Sequence, residues 1–514
     1  MSMPRPADNL IPTVDVAIIG GGIAGLTVAY RLLQRTPSAR IAIFEATDRL
    51  GGKILSETVE TEHGRFIVEG GPDAFLVQKP WANALVDDLG LGARTVPINF
   101  VTSPVSILKR GRPIPLPAGV SLLAPTRFGP FLRSALLSTS GKARVLRDLG
   151  ISASKNANDE SIADFVTRRL GSEAVDWLAE PLLAGIYNAE PERMSLLATF
   201  PQFRALERDH GSLIAGLRAV ARAAGDKPKG PAFLTLRGGM QDLTDALATR
   251  VQSIAHLNTK VERLQRSARN GYVLTVDSGQ TIEARTVVVT LPAIDAARLL
   301  EPVAPAAAGE LARLRTVGAG SISLAYRDSE ITRPLTGYGL VIPRRESRPI
   351  NAITVASAKF SGRAPAGWHL LRVFFGGARS AETMFYKEDR LLEVVRDQLS
   401  ELLGIDADPA FHRLFRWKTG SPQYDVGHLD RIAAIESTLP VGLLLAGGSY
   451  HGVGLPDIVR KATNIAERID LTLPSPATPL PYDRSGERSL HIPDLAALPD
   501  AFPVSRSAGD GASG

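Results

Sequence analysis

An α/β + α architecture is what this sequence predicts: a βαβ unit at the start, an antiparallel sheet late in the chain, and a helical domain inserted between them. Three observations predict it. Residues 14–45 hold two apolar runs, VDVAIIG and ARIAIFE, on either side of the amphipathic stretch AGLTVAYRLLQR. Residues 115–225 follow a helical period, as in SIADFVTRRLGSEAVDWLAEPLL. Between 320 and 377, four alternating or apolar segments follow one another across turn residues. Apolar residues recur at every second position in a half-buried strand and at every third or fourth in a helix, which separates the two readings.

Residues 1–12 read as a loose leader. VDVAIIG (14–20) is a buried strand, AGLTVAYRLLQR (24–35) a helix and ARIAIFE (39–45) the next strand. GMQDLTDALATRV (239–251) is a helix, and YVLTVDSGQTIEARTVVVTLP (272–292) a hairpin leading into a strand. GSISLAYR (320–327), YGLVIP (338–343), NAITVAS (351–357) and WHLLRVFFGG (368–377) form the antiparallel sheet. SAETMFYKEDRLLEVVRDQLSELLG (380–404) returns to helix. From residue 472 the chain turns Pro-rich and polar, and this tail is expected to be disordered.

Composition removes several function classes. There is no cysteine, which excludes disulfides, thiolate nucleophiles, iron–sulfur clusters and Cys-ligated zinc. None of the eight histidines lies two or four residues from another, so a local zinc motif is not expected. The net charge of +6 is too mild to demand nucleic acid and favours an anionic ligand or surface. The N-terminus lacks the parts of a signal peptide, and no apolar run of about 18 residues exists to span a membrane. A cytoplasmic protein is the expectation.

Gly20, Gly22 and Gly25 form G-x-G-x-x-G, with Gly21, Ile23 and Ala24 between them, after a strand and before a helix. Gly20 permits a tight turn, Gly22 lets the backbone approach a pyrophosphate, and Gly25 lets helix and strand pack closely. Glu45 ends the second strand twenty residues past Gly25, where a ribose diol would be bound. This is a Rossmann-like dinucleotide site. No second G-x-G-x-x-G stands in suitable context, because GAGSIS (318–323) opens a strand, so a separate nicotinamide domain is not supported.

After Glu45 comes EATDRLGGK, with Ala46, Arg49, the pair Gly51–Gly52, and Lys53. This resembles the fingerprint of the flavoprotein amine-oxidase superfamily and implies FAD. Lys53 stands where arginine is frequent, keeping the charge without the bidentate fork. The late stretch HGVGLPDIVRKATNIAERI is similar to the superfamily's returning turn and helix. The resemblance implies that Gly452, Val453, Gly454 and Leu455 lie against the flavin. A helix N-terminus there carries about half a positive charge, suited to an anionic reduced ring.

EPLLAGIYNAEPERMSLLATFPQF (180–203), EGGPDAFL (69–76), HGSLIAGLR (210–218), SPQYDVGH (421–428) and SYHGVGLPD (449–457) resemble, in order, the oxygen-dependent porphyrinogen oxidases of haem synthesis. The likeness covers residues 14–470 and is nearest the bacterial branch. It implies an FAD-binding domain (12–75, 226–319, 426–471), an antiparallel-sheet substrate domain (76–114, 320–425), a helical domain (115–225) that often touches membrane, and a tail (472–514). It also implies that Gly71, Pro72, Asp73, Ala74, Val261 and Trp417 lie at FAD. Taken singly, Val261 and Trp417 read as core residues rather than cofactor contacts. Lys79, Tyr338, Gly339, Val341, Ile353 and Phe374 are the expected substrate contacts, although the sheet members also read as alternating core.

No side chain is assigned as acid or base, because hydride leaves to flavin N5. The expected reaction is six-electron oxidation of coproporphyrinogen III, or of protoporphyrinogen IX, with O2 as acceptor and hydrogen peroxide formed. The four propionates of the former gain more from Lys79, Lys109, Arg110, Arg112, Arg344, Arg345 and Arg348. The eukaryotic-type arginine is missing from SPVSIL (103–108), and His451 stands where relatives often carry Glu. An amine oxidase of the same superfamily and a non-catalytic tetrapyrrole carrier are the alternatives. From Val101 to Gly150 there are eight Lys/Arg and one acid, Asp148, interspersed with Leu122, Leu123, Phe128, Phe131 and Leu132. This suits peripheral contact with an anionic membrane or a downstream enzyme; the same pattern fits a solvated basic face over a core.

Overall fold

The computed structural model describes residues 12–101, 105–121, 123–223, 230–335 and 337–471. The expected leader up to residue 11, the tail from 472 and Leu122 lie outside the described residues.

The first sheet runs Ala255–His256, Ile41–Phe44, Thr13–Ile19, Thr281–Val289, Tyr272–Val276 and Val261–Arg266. Thr13–Ile19 pairs in parallel with Ile41–Phe44 on one edge and Thr281–Val289 on the other. Such strands are buried on both faces, which is why they read as unbroken apolar runs. The far edge of Thr281–Val289 is shared. Its start carries the antiparallel strand Tyr272–Val276 and its end the parallel strand Leu443–Leu445. One face of the sheet packs on the helices Ile23–Arg35, Gln241–Val251 and Leu455–Arg468, the other on Ala293–Leu300 and Pro305–Ala312.

The second sheet is seven-stranded, in the order His412–Pro422, Thr316–Arg327, Trp368–Gly376, Ala352–Val355, Gly339–Val341, Val105–Lys109 and Arg112–Pro115. It is antiparallel except where Gly339–Val341 meets Val105–Lys109. Helix Glu388–Leu403 covers one face through Leu391, Val395 and Leu399, packed on Leu340, Ile353 and Val373. The other face receives the hairpin Ser56–Thr61/Gly64–Glu69 at one end.

Helices expected from residue 115 begin at Phe128, preceded by the short pair Val120–Ser121/Ala124–Pro125. Pro115, Pro117 and Pro125 explain the late start, since proline removes a helix donor and restrains its predecessor. The helices then continue to Ala223, with one π-turn at Val175–Ala179. Leu123 and Phe131 are buried in the core of these helices, and Phe128 is half-buried beneath the Arg218 guanidinium at 4.6 Å. Among the described members of that apolar set only Leu132 is exposed, so there the basic segment mostly covers a core. No helix among the described residues is long and apolar enough to cross a membrane.

Candidate functional site

Two glycine turns leave the carboxyl ends of strands that flank one common neighbour. Thr290, just past Thr281–Val289, donates from its backbone N–H to Ile19 O, and Ala446 donates to Val289 O. The turn after Thr13–Ile19 and the one after Leu443–Leu445 therefore open into the same crevice, which is where ligands bind in open parallel sheets. The helices that follow them pack together, with Arg35 donating to Ala466 O at 2.6 Å.

The geometry of the first turn fits a pyrophosphate. Gly20 has φ +108°, a region L side chains rarely adopt. A Cβ on Gly25 would stand 2.1 Å from Gly20 O, so nothing larger than glycine fits. At Gly22 a Cβ would meet only Gly52 Cα, at 3.9 Å, which leaves open space beside the N-terminus of Ile23–Arg35. Gly51 N donates to Gly21 O at 2.8 Å, so the Gly51–Gly52 pair lies alongside this turn. Glu45 accepts from Gly21 N at 2.8 Å and Thr47 N at 2.9 Å. Its backbone bonds His256 and Thr259, bringing Val261, itself buried, to the same end. Arg49 folds onto the carbonyls of Leu50, Gly52 and Ile54. With Ala46, Ile23 and Ala24, these residues would hold the adenosine diphosphate half of FAD.

Beyond this cradle, where the flavin would lie, Lys53 donates to the carbonyls of Thr419 and Gly420. Burial pulls its amine down to about 8, against the field of Asp295. Gly71 abuts the Lys53 carbonyl so closely that a Cβ would lie 1.8 Å from it. Trp417 Nε1 donates to Gly70 O at 2.7 Å, tying the second sheet to the Gly71–Ala74 turn. The Tyr424 hydroxyl staples the late turn by donating to Gly448 O at 2.7 Å and accepting from Gly452 N at 2.6 Å. Gly454 caps the helix Leu455–Arg468, and Asp457 in its first turn meets Lys79 Nζ at 2.5 Å. His451 contacts Glu436 at 3.1 Å, and Lys461 reaches the same oxygen. The His451 bond, then burial against it, and Lys461 together hold the Glu436 carboxyl down at about 2.

Strand register sorts the expected substrate residues. Val341, Ala352, Phe374 and Ser321 form one row across the second sheet; Gly339, Thr354, Arg372 and Ser323 form the next row on the same face. This face looks toward the Asp73 turn. Tyr338 precedes Gly339, and burial followed by the Asp73 charge pushes its phenol up. Ile353 belongs to the opposite face. It is wholly buried under Glu388–Leu403, so the expected substrate contact is a core residue.

Several expected carboxylate partners are engaged elsewhere. Arg344 pairs with Glu192, Arg345 with Asp176, and Arg348 with Glu401. Lys109 donates to Leu136 O and lies 4.8 Å over the Trp177 ring. Arg110 and Gly111 give their backbone N–H groups to Glu346.

The sequence reading missed a charged cluster on the inner face. Lys359 Nζ bonds Asp73 at 2.7 Å, and Arg363 bonds Glu69 at 3.2 Å. Burial pushes the Asp73 carboxyl up, but Lys359, Arg372 and Arg363 overcome it and hold it below the usual range. Arg372 is 7% exposed; its Nε donates to Ser321 Oγ at 3.1 Å, and its guanidinium lies 4.8 Å from the Phe374 ring. The signal was present: an arginine inside LLRVFF, at the same parity as Phe374. No group of metal-ligating side chains is found among the described residues.

The profile of flavin-containing amine oxidoreductases matches residues 23–470. The chain is 34% identical to coproporphyrinogen III oxidase of Bacillus subtilis, covering 86% of this chain and 95% of that protein. It is 30% identical to chloroplastic protoporphyrinogen oxidase 1 of Arabidopsis thaliana, covering 89% and 88%. A solved Exiguobacterium sp. 255-15 structure named for protoporphyrinogen oxidase superposes with a TM-score of 0.79 at 31% identity, covering 89% of this chain and 98% of that one. With a dinucleotide cradle built as the motif requires and relatives of this kind along nearly its whole described length, the chain is an FAD-dependent oxidoreductase of the flavin-containing amine oxidoreductase family, in the branch of the porphyrinogen oxidases.

Proposed function

We propose that this protein oxidises coproporphyrinogen III to coproporphyrin III, removing six electrons in three rounds, with O2 as final acceptor and hydrogen peroxide as by-product. The observation that carries the reading is the inner face of the second sheet. Small side chains, the Phe374 ring and a buried cation lie there, tied by Trp417 to the turn at Gly70. This is a floor suited to a flat macrocycle with carboxylate arms.

Bound FAD supplies the two-electron acceptor. The chain's own part is to orient. Gly339 and Val341 leave room for a ring face, Phe374 supports it, and Tyr338 closes the side next to Asp73. Loss of hydride from a carbon between electron-rich pyrroles depends on placement and exclusion of water more than on a strong base. On this reading the FAD, substrate and helical domains follow the bounds given above, except that Ala82, Leu85, Val86, Leu89 and Leu91 pack into the FAD-side core and the hairpin Ser56–Thr61/Gly64–Glu69 packs on the substrate sheet, and the protein works in the cytoplasm. The exposed part of the basic segment, with Leu132, makes peripheral contact with an anionic membrane; sedimentation with anionic vesicles at low salt tests this, and absence of binding there removes it.

The function is tested by steady-state turnover of coproporphyrinogen III and protoporphyrinogen IX with oxygen uptake and peroxide measured together. The expected result is a higher kcat/KM for coproporphyrinogen and three O2 consumed per porphyrin. A higher kcat/KM for protoporphyrinogen would reverse the substrate assignment.

A further inference from the structure

Among the cations around the inner face, nearly all have partners. Lys53 bonds two carbonyls, Lys79 bonds Asp457, Lys359 bonds Asp73, and Arg363 bonds Glu69 and Thr235. Arg379 is held by Glu180 and Asn351. Arg372 differs. No carboxylate lies within ion-pair distance of it among the described residues, and the single hydrogen bond of its side chain there is Nε to Ser321 Oγ. The two nearby acids, Asp73 and Glu69, already have a cation each, so the five groups carry a net +1.

A buried charge without a partner is costly, and an arginine fork unfilled on its Nη side is shaped for a planar anion. Arg372 rises from a floor of small residues. Ser323 and Thr354 stand opposite it on the adjacent strands, and Gly339 follows in the same row. Phe374, one position along the same face, stacks against it.

We propose that Arg372 binds a carboxylate of the substrate inside the slot and sets the preference for a tetrapyrrole with acid side chains on every ring. This rests on the porphyrinogen reading above. Coproporphyrinogen can place one propionate on Arg372 and still present others at the slot mouth. Protoporphyrinogen carries vinyl groups on two of its rings. It must either leave Arg372 facing a vinyl or turn its only two propionates inward. A site built to bond a polar group rejects an analogue lacking it far more strongly than an apolar site rejects an extra group.

The test is equilibrium binding of oxidised porphyrins to the FAD-loaded enzyme, read by porphyrin fluorescence in one detergent buffer. Coproporphyrin III, protoporphyrin IX and carboxylate-free etioporphyrin are compared on wild type, Arg372→Lys and Arg372→Met, with flavin content and melting temperature as controls. The expected result is at least tenfold weaker coproporphyrin binding in Arg372→Met, unchanged etioporphyrin binding and partial recovery in Arg372→Lys. KM for coproporphyrinogen rises more than kcat falls. Equal weakening of all three porphyrins, or no change in any, overturns the proposal. If Arg372→Met does not fold, Arg372→Lys decides alone: its lost fork weakens coproporphyrin selectively, or the proposal fails. Wild type that binds no porphyrin, and whose flavin no porphyrinogen reduces, would instead sink the porphyrinogen reading.

Discussion

Gly22 and Gly25 are three residues apart and carry opposite demands. At Gly22 the backbone is extended and a Cβ would meet nothing nearer than Gly52 Cα at 3.9 Å, so a valine there is expected to be tolerated by the protein and to intrude on a bound pyrophosphate. At Gly25 a methyl group collides with Gly20 O and crowds Ile18. Gly22→Val is expected to keep the melting temperature of the flavin-free protein and lose flavin on purification. Gly25→Ala should lose both, with destabilisation of about 1–3 kcal/mol from overpacking. The flavin-to-protein absorbance ratio and apoprotein melting curves check this, and full flavin occupancy in Gly22→Val would refute it. Lys53 gives a pH signature. Its amine titrates near 8 because it is buried, so its charge fades as pH rises through that value. Affinity for the dianionic cofactor should fall above pH 8 in wild type and stay flatter in Lys53→Arg, measured by flavin fluorescence recovery on dilution. The residue scale also shows the limit of reading letters. Gly20, Gly25 and Glu45 were legible because one backbone geometry demands them. The ion pair of Lys79 with Asp457 was not, because its partners are 378 positions apart.

Elements carry the next set of consequences. Tyr424 closes the late turn from outside it, with one hydroxyl serving both a carbonyl and an N–H. Tyr424→Phe strands both, and an unsatisfied buried group costs about 1–3 kcal/mol. Lower stability with weaker flavin retention is expected; unchanged retention would mean that the turn holds its shape without the staple. His428 stacks on Tyr424 at 3.9 Å and contacts Tyr450 O at 2.9 Å. Burial lowers its imidazole to about 4, despite the Tyr450 bond. Between pH 6.5 and 4 the unfolded chain therefore binds the extra proton, so stability is present above 6.5 and is lost as pH falls toward 4. The loss is about 3 kcal/mol at most. Urea midpoints at pH 7 and 4.5 should differ more in wild type than in His428→Asn; equal differences contradict the assignment. Strands were found by alternation, yet their facing was not. NAITVAS offers Ile353 as the bulky apolar candidate, whereas Ala352 and Thr354 share the inner face. Register across strands decides this, and a single strand does not contain it. LLRVFF did contain the answer, since a lone arginine marks the face that is not core.

At the scale of the molecule, two turns some four hundred residues apart meet because Thr13–Ile19 and Leu443–Leu445 both flank Thr281–Val289. That long-range closure was legible only through family likeness, since nothing local in LAGGSYHGVGLPD states which strand it follows. The sheet that carries Phe374 and Arg372 is tied to the Gly70 turn through Trp417, whose Nε1 donates to Gly70 O. Arg344, Arg345 and Arg348 show what composition cannot supply. They sit in the expected segments but are neutralised by Asp176, Glu192 and Glu401. On the proposal above, charge recognition falls to Arg372 inside the fold. The most direct test of the central claim is anaerobic mixing of the FAD-loaded enzyme with coproporphyrinogen III, protoporphyrinogen IX and a panel of primary and secondary amines, following flavin absorbance in a single turnover. The account predicts rapid bleaching by coproporphyrinogen, slower bleaching by protoporphyrinogen and none by amines. Bleaching by an amine with neither porphyrinogen active would contradict it.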